Sequence, residues 1–154
     1  MFFKELEDAI YRYDVDSFNK VLQECQEGIS DNELNKLFQI ACQKGAEDIV
    51  SSLLSNPRVN PASLDFEAVE WAINPSITSN FPLQLAVVNG QIGVIKLLLA
   101  DSRVTPAGCG DYRPLELAAQ YDQSEIVKLF HKYFSDNKIN YEDDISWNLW
   151  NSVS

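Results

Sequence analysis

At 154 residues, 45% hydrophobic and 23% charged, the chain has the length of one domain and enough apolar material for a core. That apolar share excludes a disordered chain, and six Gly and six Pro exclude collagen and low-complexity linkers. A net charge of −11, from 23 acidic against 12 basic residues, argues against binding to a phosphate backbone, which needs a basic face.

The chain repeats itself, and each copy predicts two short helices. The first copy holds Leu6, Ala9 and Ile10, then Phe18, Val21 and Leu22. The second reads Phe38-Gln39-Ile40-Ala41-Cys42-Gln43-Lys44-Gly45, followed by Ile49-Val50 and Leu53-Leu54. Apolar residues at i, i+1, i+4 and i+5 make one buried helical face. Residues 64–74 come next, with Ala68-Val69-Glu70-Trp71-Ala72-Ile73 before Asn74-Pro75. They are either the first helix of a repeat that has lost its second, or a lengthened loop with a helical turn or two.

The third copy is the clearest: Phe81-Pro82-Leu83-Gln84-Leu85-Ala86-Val87-Val88-Asn89-Gly90, then Val94-Ile95 and Leu98-Leu99. The fourth reads Arg113-Pro114-Leu115-Glu116-Leu117-Ala118-Ala119, then Ile126-Val127 and Leu129-Phe130. A small residue recurs where backbones must cross closely: Ala9, Ala41, Ala86 and Ala118. The break after it holds Gly45 and Gly90, whose free φ suits a tight helix–helix turn, with Tyr13 and Asp122 in the outer copies. The loops Asn56-Pro57-Arg58-Val59-Asn60-Pro61-Ala62 and Asp101-Ser102-Arg103-Val104-Thr105-Pro106-Ala107 also align. From Ser135 the pattern stops. Ile145, Trp147, Leu149 and Trp150 fit a capping segment after the acidic run Glu142-Asp143-Asp144.

This unit resembles the ankyrin repeat, with its T-P-L-H-x-A-like start and later V-V-x-L-L. Phe81–Ala86 and Arg113–Ala118 match best, although neither carries the family's Thr or His. The resemblance implies an all-α ankyrin-repeat solenoid of four to five helix-turn-helix repeats in one domain, 1–154. The repeats fall at about 1–31, 32–62, 77–108 and 109–134, with 63–76 partial or inserted and 135–154 a C-terminal cap or tail. It also implies a non-catalytic module that binds protein through its concave face and finger loops. The expected contact residues are Tyr11, Arg12, Gln43, Lys44, Val88, Asn89, Gln120 and Tyr121, just before the turns. Fingers at Asp31, Asn32 and Glu33, at Thr78 and Asn80, and at Cys109, Asp111, Tyr112 and Arg113 join them, with Trp71 from the inserted segment. Tyr, Trp and Arg lead because they give large contact areas with few rotors.

In size the chain resembles the small ankyrin inhibitors of cyclin-dependent kinases. The N/D-x-R-V-x-P-A loop is similar to ankyrin proteins of giant amoebal viruses and of bacteria living inside amoebae and macrophages. By that resemblance, Glu142–Asp144 with Ser146, Ser152, Val153 and Ser154 fit the tail of an effector secreted into a host cell. The plainer expectation is a cytoplasmic monomer. Three scattered cysteines (Cys25, Cys42, Cys109) read as free thiols in a reducing compartment. Met1-Phe2-Phe3-Lys4-Glu5 turns acidic at once, so no signal peptide is expected.

Catalysis is not expected. A thiol nucleophile needs a base, and the one histidine, His131, falls near the end of the last outer helix, far from the finger holding Cys109. Cys42 takes a small-residue position of its repeat and reads as core. Glu47/Asp48 and Asp143/Asp144 are sequence neighbours that diverge on a helix and read as solvated surface. No phosphate loop, calcium loop or nucleophile elbow is present, and no cofactor or metal is expected. A thiol-dependent enzyme using Cys109 and a self-assembling structural protein are the alternatives. Residues 1–33 carry nine acids and three bases, which would steer a basic partner. Neither nucleic acid nor membrane is an expected partner, since no apolar run nears the roughly 18 residues of a span.

Overall fold

The computed structural model describes residues 2–61, 80–104 and 113–138. It is all-α, with eight helices and no strand among the described residues. In chain order these are α1 (Phe2–Tyr11), α2 (Val15–Glu24), α3 (Asp31–Lys44), α4 (Glu47–Leu54), α5 (Phe81–Val88), α6 (Ile92–Ala100), α7 (Arg113–Gln120) and α8 (Ser124–Asp136). Consecutive helices pack as four hairpins: α1/α2, α3/α4, α5/α6 and α7/α8. The first helices of the hairpins touch in order, α1 to α3 to α5 to α7. The second helices α2, α4 and α6 touch in a parallel row.

One backbone device closes all four hairpins. The carbonyls of Ala9, Ala41, Ala86 and Ala118 accept from the N–H groups of Asp14, Ala46, Gln91 and Gln123, five residues on, at 2.8–3.1 Å. Between them, Tyr13, Gly45, Gly90 and Asp122 take the left-handed conformation, with φ of 57°, 75°, 67° and 53°. This is a Schellman termination, which satisfies carbonyls the helix end leaves open and turns the chain at once. The recurring alanines therefore do two jobs. They supply these carbonyls, and they are fully buried where the helices cross.

The rest of the local structure follows from side chains. Asp14 caps α2 by accepting from the Ser17 N–H at 3.0 Å. Ser30 and Glu33 form a reciprocal capping box at the start of α3. Most of the apolar stripes expected of the second helices are buried: Ile49, Val50 and Leu53 in α4, Val94, Ile95 and Leu98 in α6, and Ile126, Val127 and Phe130 in α8, while Leu54, Leu99 and Leu129, and Val21 and Leu22 of α2, are half-buried against them. Phe18, Phe38, Phe130 and Phe134 are the largest side chains wholly removed from water among the described residues. That burial is the main driving force holding the hairpins together. The last described helix continues through Ser135 and Asp136, so His131 sits within α8, five residues before its end.

Several expectations fall outside the described residues. They are the partial or inserted segment at 63–76 with Trp71, the fingers holding Thr78 and Cys109, Asp111 and Tyr112, and the tail from 139 onward.

Candidate functional site

The Schellman turns line up along one edge of the stack, because the first helices of successive hairpins pack side by side. Each first helix ends there and presents its last side chains beside the turn. Tyr11 and Arg12 come from hairpin one, Gln43 and Lys44 from hairpin two, Val88 and Asn89 from hairpin three, and Gln120 and Tyr121 from hairpin four. Arg12, Gln43, Asn89 and Gln120 are exposed, while Lys44 and Val88 are half-buried. Tyr11, Tyr121 and the turn residue Tyr13 are the large hydrophobic side chains left exposed among the described residues, at 50%, 54% and 60%.

The hairpins are joined at this edge by side chains. Lys44 Nζ lies over the Tyr11 ring, 5.1 Å from its centroid. The Tyr13 hydroxyl donates to the Lys44 carbonyl at 2.8 Å. Gln91 Nε2 donates to the Gln43 carbonyl at 3.1 Å, and its amide lies against Gly45. Gln123 approaches Gly90 in the same way, more loosely. So Tyr11 and Lys44, expected separately as contact residues, are partners of each other. Tyr13 was expected only as a turn residue, yet it is the most exposed aromatic of the three. Its place one residue after Arg12 was the signal that it belongs to the edge.

Two finger expectations are corrected. Asp31, Asn32 and Glu33 form the first turn of α3. Glu33 is engaged there, its carboxylate accepting from the Ser30 N–H and hydroxyl at 2.9 Å each, bonds that hold its pKa below the ordinary carboxylate value. The Ser-x-x-Glu spacing carried that signal. Asp31 accepts from Arg58 Nε at 2.6 Å. Asn80 is buried and left-handed (φ 56°) at the start of α5, so it is not presented to a partner. Arg113 begins α7.

Sequence reasoning noticed the repeated loop arginine without assigning it a task. Arg58 donates through Nη1 to Gln26 O at 2.8 Å and through Nη2 to Ile29 O at 2.6 Å. Arg103 donates through Nη1 to Val59 O at 3.0 Å and through Nη2 to Leu54 O at 2.8 Å. Each guanidinium therefore ties its own loop to the loop of the preceding hairpin. Asp101 holds Arg103 in position at 2.7 Å, and that bond keeps the Asp101 carboxyl below its usual range despite partial burial. In the first hairpin's loop Gly28 stands at the arginine position, one residue before buried Ile29. No hairpin precedes that one among the described residues for an arginine to reach.

The chemistry on offer is that of contact. Cys25 and Cys42 are buried, and burial pushes both thiols up, Cys42 most strongly. Among the described residues no group of three or more His, Cys, Asp or Glu side chains is arranged to hold a metal. No helix of the described residues is long and apolar enough to cross a membrane.

No family model, curated protein or solved structure matches the chain. What can be said of its function comes from its own residues.

Proposed function

We propose that the chain is an ankyrin-type solenoid and a non-catalytic protein-binding module. Its docking surface is the concave face with the turn edge, where Tyr11, Arg12, Gln43, Asn89, Gln120 and Tyr121 meet the partner. The observation that carries this reading is the exposure of Tyr11, Tyr13 and Tyr121 along one edge, while Phe18, Phe38, Phe130 and Phe134 are wholly buried. Tyrosines held at the ends of packed helices bring large contact area at little entropic cost, which is the chemistry of a binding hot spot. The hairpin repeat, the small crossing alanines and the Schellman turns support the ankyrin reading. Trp71, Tyr112 and Arg113 complete the proposed surface.

The partner proposed is a protein with a basic surface, met by a monomer of net charge −11. The secreted-effector expectation rests on Glu142–Asp144 and the terminal serines, and the thiol-enzyme alternative rests on Cys109. Both groups lie outside the described residues.

A pulldown from lysate, followed by titration of the purified partner, tests the reading. The variant is Tyr11→Ala/Arg12→Ala/Tyr121→Ala, with Lys20→Ala/Lys128→Ala on the second helices as a control, and circular dichroism verifies folding. A partner bound by wild type and control, and lost by the edge variant, is expected. A partner retained by the edge variant contradicts the proposal.

A further inference from the structure

Hairpin four ends the described row, and its first helix is more buried than that place explains. The row runs α1, α3, α5, α7, so α1 and α7 each have one described first helix beside them, while α5 lies between two. α1 buries Leu6, Ala9 and Ile10 of its ten residues. α7 buries Pro114, Leu115, Leu117, Ala118 and Ala119 of its eight, as many as α5 buries of its own eight. One position shows the difference most clearly. The residue before the crossing alanine is half-buried in three hairpins, as Asp8, Ile40 and Leu85. In the fourth it is Leu117, which is only 8% exposed.

The second helix of hairpin four repeats the observation. α8 has thirteen residues against eight in α7, so at about 1.5 Å per residue its last turn runs past the start of α7. Phe134 sits in that last turn and is nevertheless wholly buried.

The cover belongs to the chain itself, because Leu117 and Phe134 lose their exposure within a single copy. Residues 62–79 are occupied in joining hairpin two to hairpin three, and residues 105–112 in joining three to four. Residues 139–154 have no such connection to make. They follow α8 in the place where each earlier hairpin passes the chain to the next first helix. Asp136-Asn137-Lys138-Ile139 has the form of Asp101-Ser102-Arg103-Val104, with lysine for the arginine. Ile145, Leu149, Trp150 and Val153 then fall at i, i+4, i+5 and i+8, the spacing of one apolar helical face. As a helix, 140–154 would reach about 22 Å, more than the roughly 12 Å of α7.

We propose that residues 140–154 dock on the outer face of α7 as one further first helix, with Ile145, Leu149, Trp150 and Val153 against Leu117 and its neighbours. Burial of these apolar side chains drives the docking. The segment closes the row of first helices, so a second copy of the chain cannot extend the stack from that end. The docking does not depend on what the turn edge binds.

The test uses the full chain, labelled with ¹³C and ¹⁵N. Nuclear Overhauser effects are recorded from the Trp150 indole, which is identified by its loss in Trp150→Phe. Contacts with the Leu117 methyl groups are expected. Trp150→Ala and Leu117→Ala are then compared, singly and together, in urea denaturation. Side chains in contact are not additive, so the combined loss is expected to fall short of the independent losses by about two- to tenfold in the unfolding constant. Trp150→Ala with Lys128→Ala, at an exposed position of α8, supplies the additive reference. An indole that contacts only its own segment, or Leu117 methyl groups met by residues 105–112 in its place, overturns the docking. Losses at Trp150 and Leu117 that simply add overturn it as well. The wild-type contacts decide the question even where a variant fails to fold.

Discussion

Arg103 donates to the carbonyl oxygen of Val59 at 3.0 Å, across 44 positions of chain. Arg58 makes the corresponding bond to Ile29, across 29. The two hairpin junctions differ in the length of chain between them, yet the arginine finds the same loop carbonyl in each. The same carbonyl position is therefore tied at both junctions, although the chain between the hairpins differs in length.

Replacing Arg103 with lysine is expected to destabilise the protein by about 1–2 kcal/mol. A lysine keeps the charge but cannot serve Val59, Leu54 and Asp101 at once from one planar fork. Urea denaturation reads the difference. Asp101→Asn is expected to cost less, because both carbonyl bonds survive it. Equal stability of Arg103→Lys and wild type would remove the tie from the account.

The Asp101 contribution has a defined pH dependence. Its folded pKa lies below the ordinary 3.8, chiefly through the hydrogen bond from Arg103. The stability it supplies is therefore fully present above about pH 4 and is lost as pH falls through the depressed folded value. The stability difference between wild type and Asp101→Asn should be flat from about pH 7 to 5 and shrink below about pH 4. Comparing the two proteins cancels the relief of general acidic repulsion on acidification. A difference that grows below pH 4 contradicts the assignment.

Gly45 and Gly90 are expected to differ. Both have positive φ, so alanine at either position costs about 1–2 kcal/mol of backbone strain. At Gly45 the new Cβ would also run into the Gln91 amide, whereas at Gly90 the nearest atom, Gln123 Nε2, stands 3.4 Å away. Gly45→Ala should therefore be the more destabilising in thermal melts. Gly28→Ala, where a Cβ meets its nearest atom at 3.7 Å without positive φ, should be near neutral. Truncating Gln91 should bring Gly45→Ala to the cost of Gly90→Ala, and persistence of the gap would place its cause elsewhere.

Cys25 and Cys42 should resist alkylation in the native protein. Burial disfavours the thiolate that reacts, and it raises the pKa of both thiols. Peptide mapping after iodoacetamide at neutral pH should show neither modified until denaturant is added. Modification of Cys42 at the rate of an exposed thiol would mean that hairpin two opens readily.

The hairpins were legible in the sequence because helical periodicity and turn chemistry are local. Ile49-Val50 and Leu53-Leu54 mark a buried face by spacing alone, and Gly45 marks a left-handed residue by its lack of a Cβ. Tyr13 and Asp122 were legible only through alignment with Gly45 and Gly90, since neither residue type demands that backbone. The arginine ties were not legible, because their acceptors are carbonyls and every residue carries one. Ser30-Asp31-Asn32-Glu33 was readable as a capping box, but the family resemblance drew it into a finger. The edge was readable as positions, whereas its internal pairing of Tyr11 with Lys44 depends on how closely hairpins one and two pack.

The most direct test of the proposed protein-binding edge is site-specific photocrosslinking in lysate. Benzoylphenylalanine is placed singly at Tyr11, Tyr121 and, as a control on the second helices, Lys128. One discrete protein adduct shared by Tyr11 and Tyr121 and absent from Lys128 is expected. An adduct formed at Lys128 and at neither tyrosine would contradict the proposed edge.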